Sequence, residues 1–283
     1  MGFDGPCACS SALVDAAFGA TPGRWPLPPP VGAVDRWHRA VALGGQGYYR
    51  RAHAELQEAQ RSHPGSELRS LISSTAGSLH RQLGWHAAAR TLDGQALVEA
   101  ARAGSASAGA DALVGLAADA LGTGRLALSA RLLDAGSRMV ADSSGWRSAT
   151  RLSWVRAELA LARDRPVEAL DAARAALAAA TTGRSVRHRV KSTLLIAAAM
   201  AATGSVVPAA ELARTVVADC RQHRLLPLQW AAAMLCAGLG DPDSAALADR
   251  IAADIAERGA YFRREHSDDV DVLDWPRGPA GYC

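Results

Sequence analysis

The chain has 283 residues, 49% apolar and 21% charged, long for one compact core and comfortable for an elongated helical array. Alanine contributes 63 residues and aromatics only 5%, which suits close helix–helix packing and excludes collagen-like, disulfide-dense and wholly disordered chains. A net charge of +3, from 31 basic residues against 28 acidic, is too small to announce a nucleic-acid binder.

Read from the start, Met1 to Ser10 carries neither a positive n-region nor an apolar h-region, so no secretory leader is expected. Residues 21–30, Thr-Pro-Gly-Arg-Trp-Pro-Leu-Pro-Pro-Pro, cannot be helical, because proline removes donors and clashes with the preceding turn. Residues 1–32 therefore read as a proline-rich arm. Residues 33–259 read as a helical repeat domain in which Gly and Pro fall between apolar-periodic runs. Residues 260–283 form an acidic and aromatic tail, with four aspartates between Asp268 and Asp274 and a tryptophan at Trp275. The most apolar stretch, Leu194 to Ala202, is far short of the roughly 20 residues that span a bilayer. The five cysteines show no Cys-x-x-Cys pair and no clustering with histidine, so no metal or other cofactor is expected. Cys7 and Cys9 form a Cys-x-Cys that is at most a soft-metal or redox candidate. The expected location is the cytoplasm.

The repeat domain carries a fixed period. Gly47, Gly84, Gly124, Asp164, Gly204 and Gly240 fit as turns between paired helices, at separations of 37, 40, 40, 40 and 36 residues. Seven residues before these anchors stand Ala40, Gly77, Ala117, Ala157, Ala197 and Ala233. Five after stand Ala52, Ala89, Ser129, Ala169, Ala209 and Ala245; twelve after stand Ala59, Ala96, Gly136, Ala176, Val216 and Ala252. Such columns stay small where two helices cross closely.

With Gly47-Tyr-Tyr-Arg-Arg-Ala52, Leu56, Ala59 and Pro64, and again with Leu83-Gly84-Trp85-His86-Ala87-Ala88-Ala89, the sequence resembles the tetratricopeptide repeat (TPR) family. It departs from that family in its longer period, in Asp164 at a turn, and in Asp93 and Asp249 where a large apolar residue is usual. The resemblance implies an all-α, TPR-like α-solenoid of about six antiparallel helix pairs stacked in a right-handed superhelix. Its first helices would line an inner groove.

Ten residues before three anchors stands a tryptophan: Trp37, Trp154 and Trp230. The resemblance places these rings on the groove as anchors for a partner segment; the bland reading makes them inter-repeat core. The same mapping brings Arg81, Gln82, Arg151, Glu158 and Lys191 to the groove. The family's chaperone-binding clamp needs lysines and asparagines, and this chain has one lysine and no asparagine. A generic basic pocket remains. The basic run Gly183 to Lys191 reads better as a solvated helix start than as a phosphate contact, and no interleaved aromatics support nucleic-acid binding. No His-Glu-x-x-His, Gly-x-Ser-x-Gly or phosphate-cradling loop occurs, so no catalysis is expected. The reading is a scaffold or adaptor that binds an extended partner segment, an acidic one among the candidates. The alternative is a regulatory protein that senses a ligand or sequesters a signalling or transcription factor. The chain's own tail is a further candidate occupant, with capping of the last helix pair as the plainer role.

Overall fold

A computed structural model describes residues 10–141 and 145–263. Cys7, Cys9, Cys283 and the acidic tail from Asp268 to Trp275 lie outside the described residues, and so do the expectations placed on them.

Thirteen helices are present among the described residues, with no strand. The short α1 (Ser11–Phe18) is followed by six hairpins. These are α2 (Ala33–Gly45) with α3 (Tyr49–Arg61), α4 (Ser66–Gln82) with α5 (His86–Ala103), and α6 (Ala106–Gly122) with α7 (Leu126–Ala141). Then come α8 (Trp146–Ala162) with α9 (Pro166–Thr182), α10 (Val186–Ala202) with α11 (Val206–Gln222), and α12 (Leu226–Gly238) with α13 (Ser244–Glu257). The even-numbered helices pack on one another as an inner layer, and α3, α5, α7, α9 and α11 lie outside, each against its own partner and the next inner helix, while α13 packs on α12.

The turn anchors do the same job six times. Every one has positive φ, from 56° at Asp164 to 91° at Gly240, and the N–H one residue later donates to the carbonyl four residues before the anchor. Trp85 to His80, Arg165 to Ala160 and Ser205 to Met200 are examples. This closure satisfies carbonyls that a helix end otherwise leaves bare, and glycine enters it without a Cβ penalty. Asp164 is the one anchor with a side chain. Asp164→Gly should therefore stabilise the protein by about 0.5–1 kcal/mol, and Gly124→Ala should cost about 1 kcal/mol. Urea unfolding of both variants measures this; equal shifts in one direction would contradict it.

Packing follows the small-residue columns. Ala40, Ala117, Ala157, Ala197 and Ala233 are fully buried, as are Ala52, Ala89, Ser129, Ala169 and Ala209. The last unit departs by one residue: Ser244, Ala248 and Ile251 are buried there, while Ala245 and Asp249 are exposed. The turn Asp241-Pro242-Asp243 delays the start of α13, and Ser244 Oγ donates to Asp241 Oδ2 at 2.7 Å. Asp249 thus never enters the core.

The hairpin array closes on itself. Ile251, Ile255 and Ala260 share a core with Tyr49, Leu56 and Leu83 of the first two hairpins. Arg258 Nη1 donates to the Gln46 carbonyl at 2.7 Å, and its guanidinium lies 4.4 Å from the Tyr48 ring centre. Arg263 N donates to the Leu83 carbonyl at 2.8 Å, and Trp85 Nε1 to that of Tyr261 at 2.9 Å. The start of α12 meets the end of α2, where Leu226 leaves a Cβ on Gly47 only 3.1 Å of room. The first and last hairpins are therefore in direct contact.

The arm joins α2 to α10. α1 buries Leu13, Ala16 and Ala17, chiefly against α2, and touches α10. Asp35 accepts from the backbone N–H of Ser10 at 2.9 Å and of Val31 at 3.2 Å, tying both ends of the arm to the first turn of α2. Prolines supply no donor, so the arm is held through its carbonyls: Pro22 and Arg24 accept from Gln46 Nε2, and Pro28 from Arg39 Nη1. Val186 N at the head of α10 donates to the Gly19 carbonyl at 3.1 Å. Residues 21–30 are non-helical, as their prolines require, whereas the α1 helix ahead of them went unforeseen.

Candidate functional site

The inner layer lines a half-open cavity of about 610 Å³ to which all six inner helices contribute, joined by Phe18 of α1, Tyr49 of α3, His86 of α5 and Phe262 after α13. This volume falls in the range of about 300–1,000 Å³ typical of small-ligand sites.

Of the residues expected on the groove, Arg81, Gln82, Arg151, Trp154, Glu158, Lys191 and Trp230 all line the cavity. Trp37 does not. It is 7% exposed, packs on Phe18 with ring centres 5.4 Å apart, and donates from Nε1 to Thr75 Oγ1 at 2.9 Å. For Trp37 the inter-repeat core reading holds, because the arm and α1 cover its side of α2. Trp154 makes the corresponding reach, Nε1 to Ser192 Oγ at 2.9 Å, while part of its ring remains on the cavity wall. Trp230 has no following hairpin, and its ring instead stacks on Phe262 with centres 4.4 Å apart.

Two buried ion networks hold the inner helices around the cavity. Arg81 of α4 reaches two carboxylates: it bonds Asp93 of α5 and, at 2.8 Å from Nε, Asp119 of α6. One guanidinium thus stitches three helices. Both carboxyls are essentially unexposed, at 0% and 1%, and His86 Nδ1 lies 3.5 Å from Asp119. Burial, reinforced by Asp119 and opposed by Arg81, pushes the Asp93 carboxyl up to about 7. Gly115 faces it because any Cβ there would overlap that carboxylate. The polar residue that broke the sequence pattern at Asp93 is therefore the partner of a cavity-wall arginine.

The second network inverts this stoichiometry. Asp111 of α6 bonds two arginines of α8, Arg147 and, at 2.8 Å, Arg151. Arg187 of α10 also lines the cavity, has no ion-pair partner among the described residues, and rests its stem against Gly45 of α2. Burial, then repulsion from Arg147 and Arg151, pulls the Arg187 guanidinium down to about 10. The adjacent His188 is held well below the usual imidazole range by burial, then by Arg187, Arg147, Arg151 and Lys191, and so is neutral. Its ring lies parallel to Trp154, centres 5.1 Å apart, with Ser185 Oγ 2.7 Å from Nδ1. Lys191 pairs with Glu158 at 3.2 Å and sits 4.5 Å from the Trp154 ring centre.

Arg147 and Asp111 were not singled out in the sequence, and Arg187 and His188 stood there only within the basic run. The basic run before Lys191 is split by its helix: Arg184 and Arg189 face solvent, whereas Arg187, His188 and Lys191 turn inward. The expectation of a wholly solvated run is corrected accordingly. The 187/191 spacing of i,i+4, one helical turn, was the signal available. Among the described residues, no group of three or more His, Cys, Asp or Glu is placed to hold a metal ion, and no helix is long and apolar enough to cross a membrane. No protein-family model matches this chain, and no curated protein does.

Proposed function

We propose that this protein is a non-catalytic receptor that takes a guest into its central cavity and reports occupancy to a partner, a regulatory role in the cytoplasm. The observation that carries the reading is convergence: six successive hairpins direct their inner helices at one half-open cavity, whose wall holds more guanidinium than carboxylate. The turn glycines, the small crossing residues and the hairpin order support a TPR-type array with right-handed coiling. Closure of the array favours a compact guest, such as a small anion or the short acidic end of another protein, over a long segment laid in an open trough. The adaptor reading, with an extended acidic segment passing along the inner helices, draws its support from the Trp154 and Trp230 rings on the cavity wall.

Filling the cavity tests the proposal. Ala231 of α12 lines it, and Ala231→Trp would occupy part of the space from a half-exposed position. The wild-type chain, incubated with a panel of anionic metabolites and acidic peptides, should retain one guest per chain in native mass spectrometry. Ala231→Trp should retain none at an unchanged fold by circular dichroism. Retention by neither protein, or equally by both, overturns the reading.

A further inference from the structure

We propose that Arg147, Arg151 and Arg187 form a subsite for the dianionic head of a small organic phosphate, the remainder of which lies on the apolar part of the cavity wall. This rests on the receptor reading and adds the chemistry of its guest.

The argument is one of charge and satisfaction. Three guanidiniums from two inner helices face one cavity, and Asp111 is the carboxylate that pairs with two of them. The neighbouring Lys191 is already matched by Glu158, and the neighbouring histidine is neutral. Against the two charges this leaves stands the surplus carboxylate of the Arg81 network, which Arg151 also faces and whose Asp93 is pushed up to about 7, so one to two positive charges are left over. A phosphate monoester carries roughly −1.5 to −2 at neutral pH and three strong acceptor oxygens, whereas a monocarboxylate carries one charge and two oxygens. Guanidinium forks match such oxygens in pairs, and they do so most strongly where water is excluded.

The arginine cluster is also under electrostatic stress. Arg187 is drawn below its ordinary range by burial and by the two like charges beside it, and Arg147 is lowered too, again chiefly by burial. A purely structural arginine at such a place would be expected to find a carboxylate, because an unmatched buried charge is costly. Arg187 instead lies along Gly45, where a Cβ would come to 3.2 Å from Cδ and 3.5 Å from Nη1, and lines the cavity. Beyond the cluster, Val114, Leu194, Leu195 and Trp230 offer an apolar wall for an organic body.

Isothermal titration calorimetry on the full chain at fixed ionic strength tests this with phenyl phosphate, inorganic phosphate and benzoate as probes. Phenyl phosphate should bind one per chain and at least about tenfold more tightly than benzoate, with inorganic phosphate competing weakly. Arg187→Gln should weaken phenyl phosphate about 10- to 100-fold, the loss of a charge-assisted bond. It should also leave the melting temperature of the guest-free protein unchanged or higher, since a repelled charge is gone; a structural role would lower it. Arg187→Lys, which keeps the charge and the fold, should still weaken binding at least about threefold, because the fork is lost. Phenyl phosphate bound no better than benzoate, or with unchanged affinity in both Arg187 variants, overturns the proposal. If Ala231→Trp excludes a guest whose affinity ignores Arg187, the phosphate subsite falls and the receptor reading stands. If Ala231→Trp leaves phenyl phosphate binding intact, the guest sits elsewhere and both fall.

Discussion

Arg81→Met should destabilise the protein by about 3–5 kcal/mol near pH 8, the largest single-residue effect expected outside the central core. The methionine preserves most of the stem's packing but leaves Asp93 and Asp119, both nearly unexposed, without their shared cation. His86, with Nδ1 3.5 Å from Asp119, offers a single ring nitrogen where the guanidinium spans two carboxylates, and cannot replace it. The penalty relative to wild type should shrink near pH 5.5, because a carboxyl already pushed up to about 7 by burial can take a proton and shed its charge. Adding Asp93→Asn should recover part of the loss, and the double-mutant cycle gives the coupling. Urea unfolding at the two pH values is the measurement; a cost below about 1 kcal/mol at pH 8 would mean that the network is not stitching α4, α5 and α6 together.

Acid should unfold the protein earlier than its carboxylates alone would dictate. Burial holds His38 at about 4 and His53 at about 3, and His188 well below the usual range. Arg147 reinforces the depression at His38, against Asp35, and His80 reinforces it at His53. A folded pKa below the unfolded value of 6.5 means that the unfolded chain binds the extra protons. The stability these residues contribute is thus complete above pH 6.5 and is lost as pH falls toward 4 and 3. Asp93 acts in the opposite sense, since its raised carboxyl favours the folded state as pH falls below 7. With that offset, the net loss between pH 7.5 and pH 5 is about 3 kcal/mol. His53→Phe should flatten the pH dependence by close to one proton. An unfolding free energy that stays level from pH 7.5 to 5 would contradict the assignment of these imidazoles as buried and neutral.

What could be read in the sequence was whatever rests on local geometry. A left-handed turn needs glycine or a tolerant residue at one place, and a close crossing needs alanine at another, so six hairpins and their register were written in Gly47 through Gly240 and in the columns beside them. Arg81, Arg151, Trp154, Glu158, Lys191 and Trp230 line the cavity, at positions that the resemblance to the repeat family assigned to the inner face. Trp37 failed for a non-local reason: its solvent side is taken by a helix from the arm. The one-residue slip in α13 escaped because Ala245 and Ala252 mimic the column, while the Asp241-Pro242-Asp243 turn decides the true register. Closure itself depends on pairs such as Trp85 with Tyr261 and Gln46 with Arg258, separated by 176 and 212 residues, and no short-range pattern encodes them.

That closure changes how the protein should come apart. In an open array each repeat touches only its neighbours, so the ends loosen first and stability grows by increments. Here the first and last hairpins share Tyr49, Leu56, Ile251 and Ile255 in one core, and the arm binds α2 to the head of α10. Neither end is free to fray. Loss of the last hairpin exposes the first, which in turn releases the arm, so the expected behaviour is a single cooperative transition in which no terminal repeat melts ahead of the rest. Amide exchange should then report similar protection in α3 and in α8, although one lies at an end of the chain's repeat order and the other at its middle. A guest in the cavity would slow exchange around the whole circle at once, turning local occupancy into a property of the entire ring.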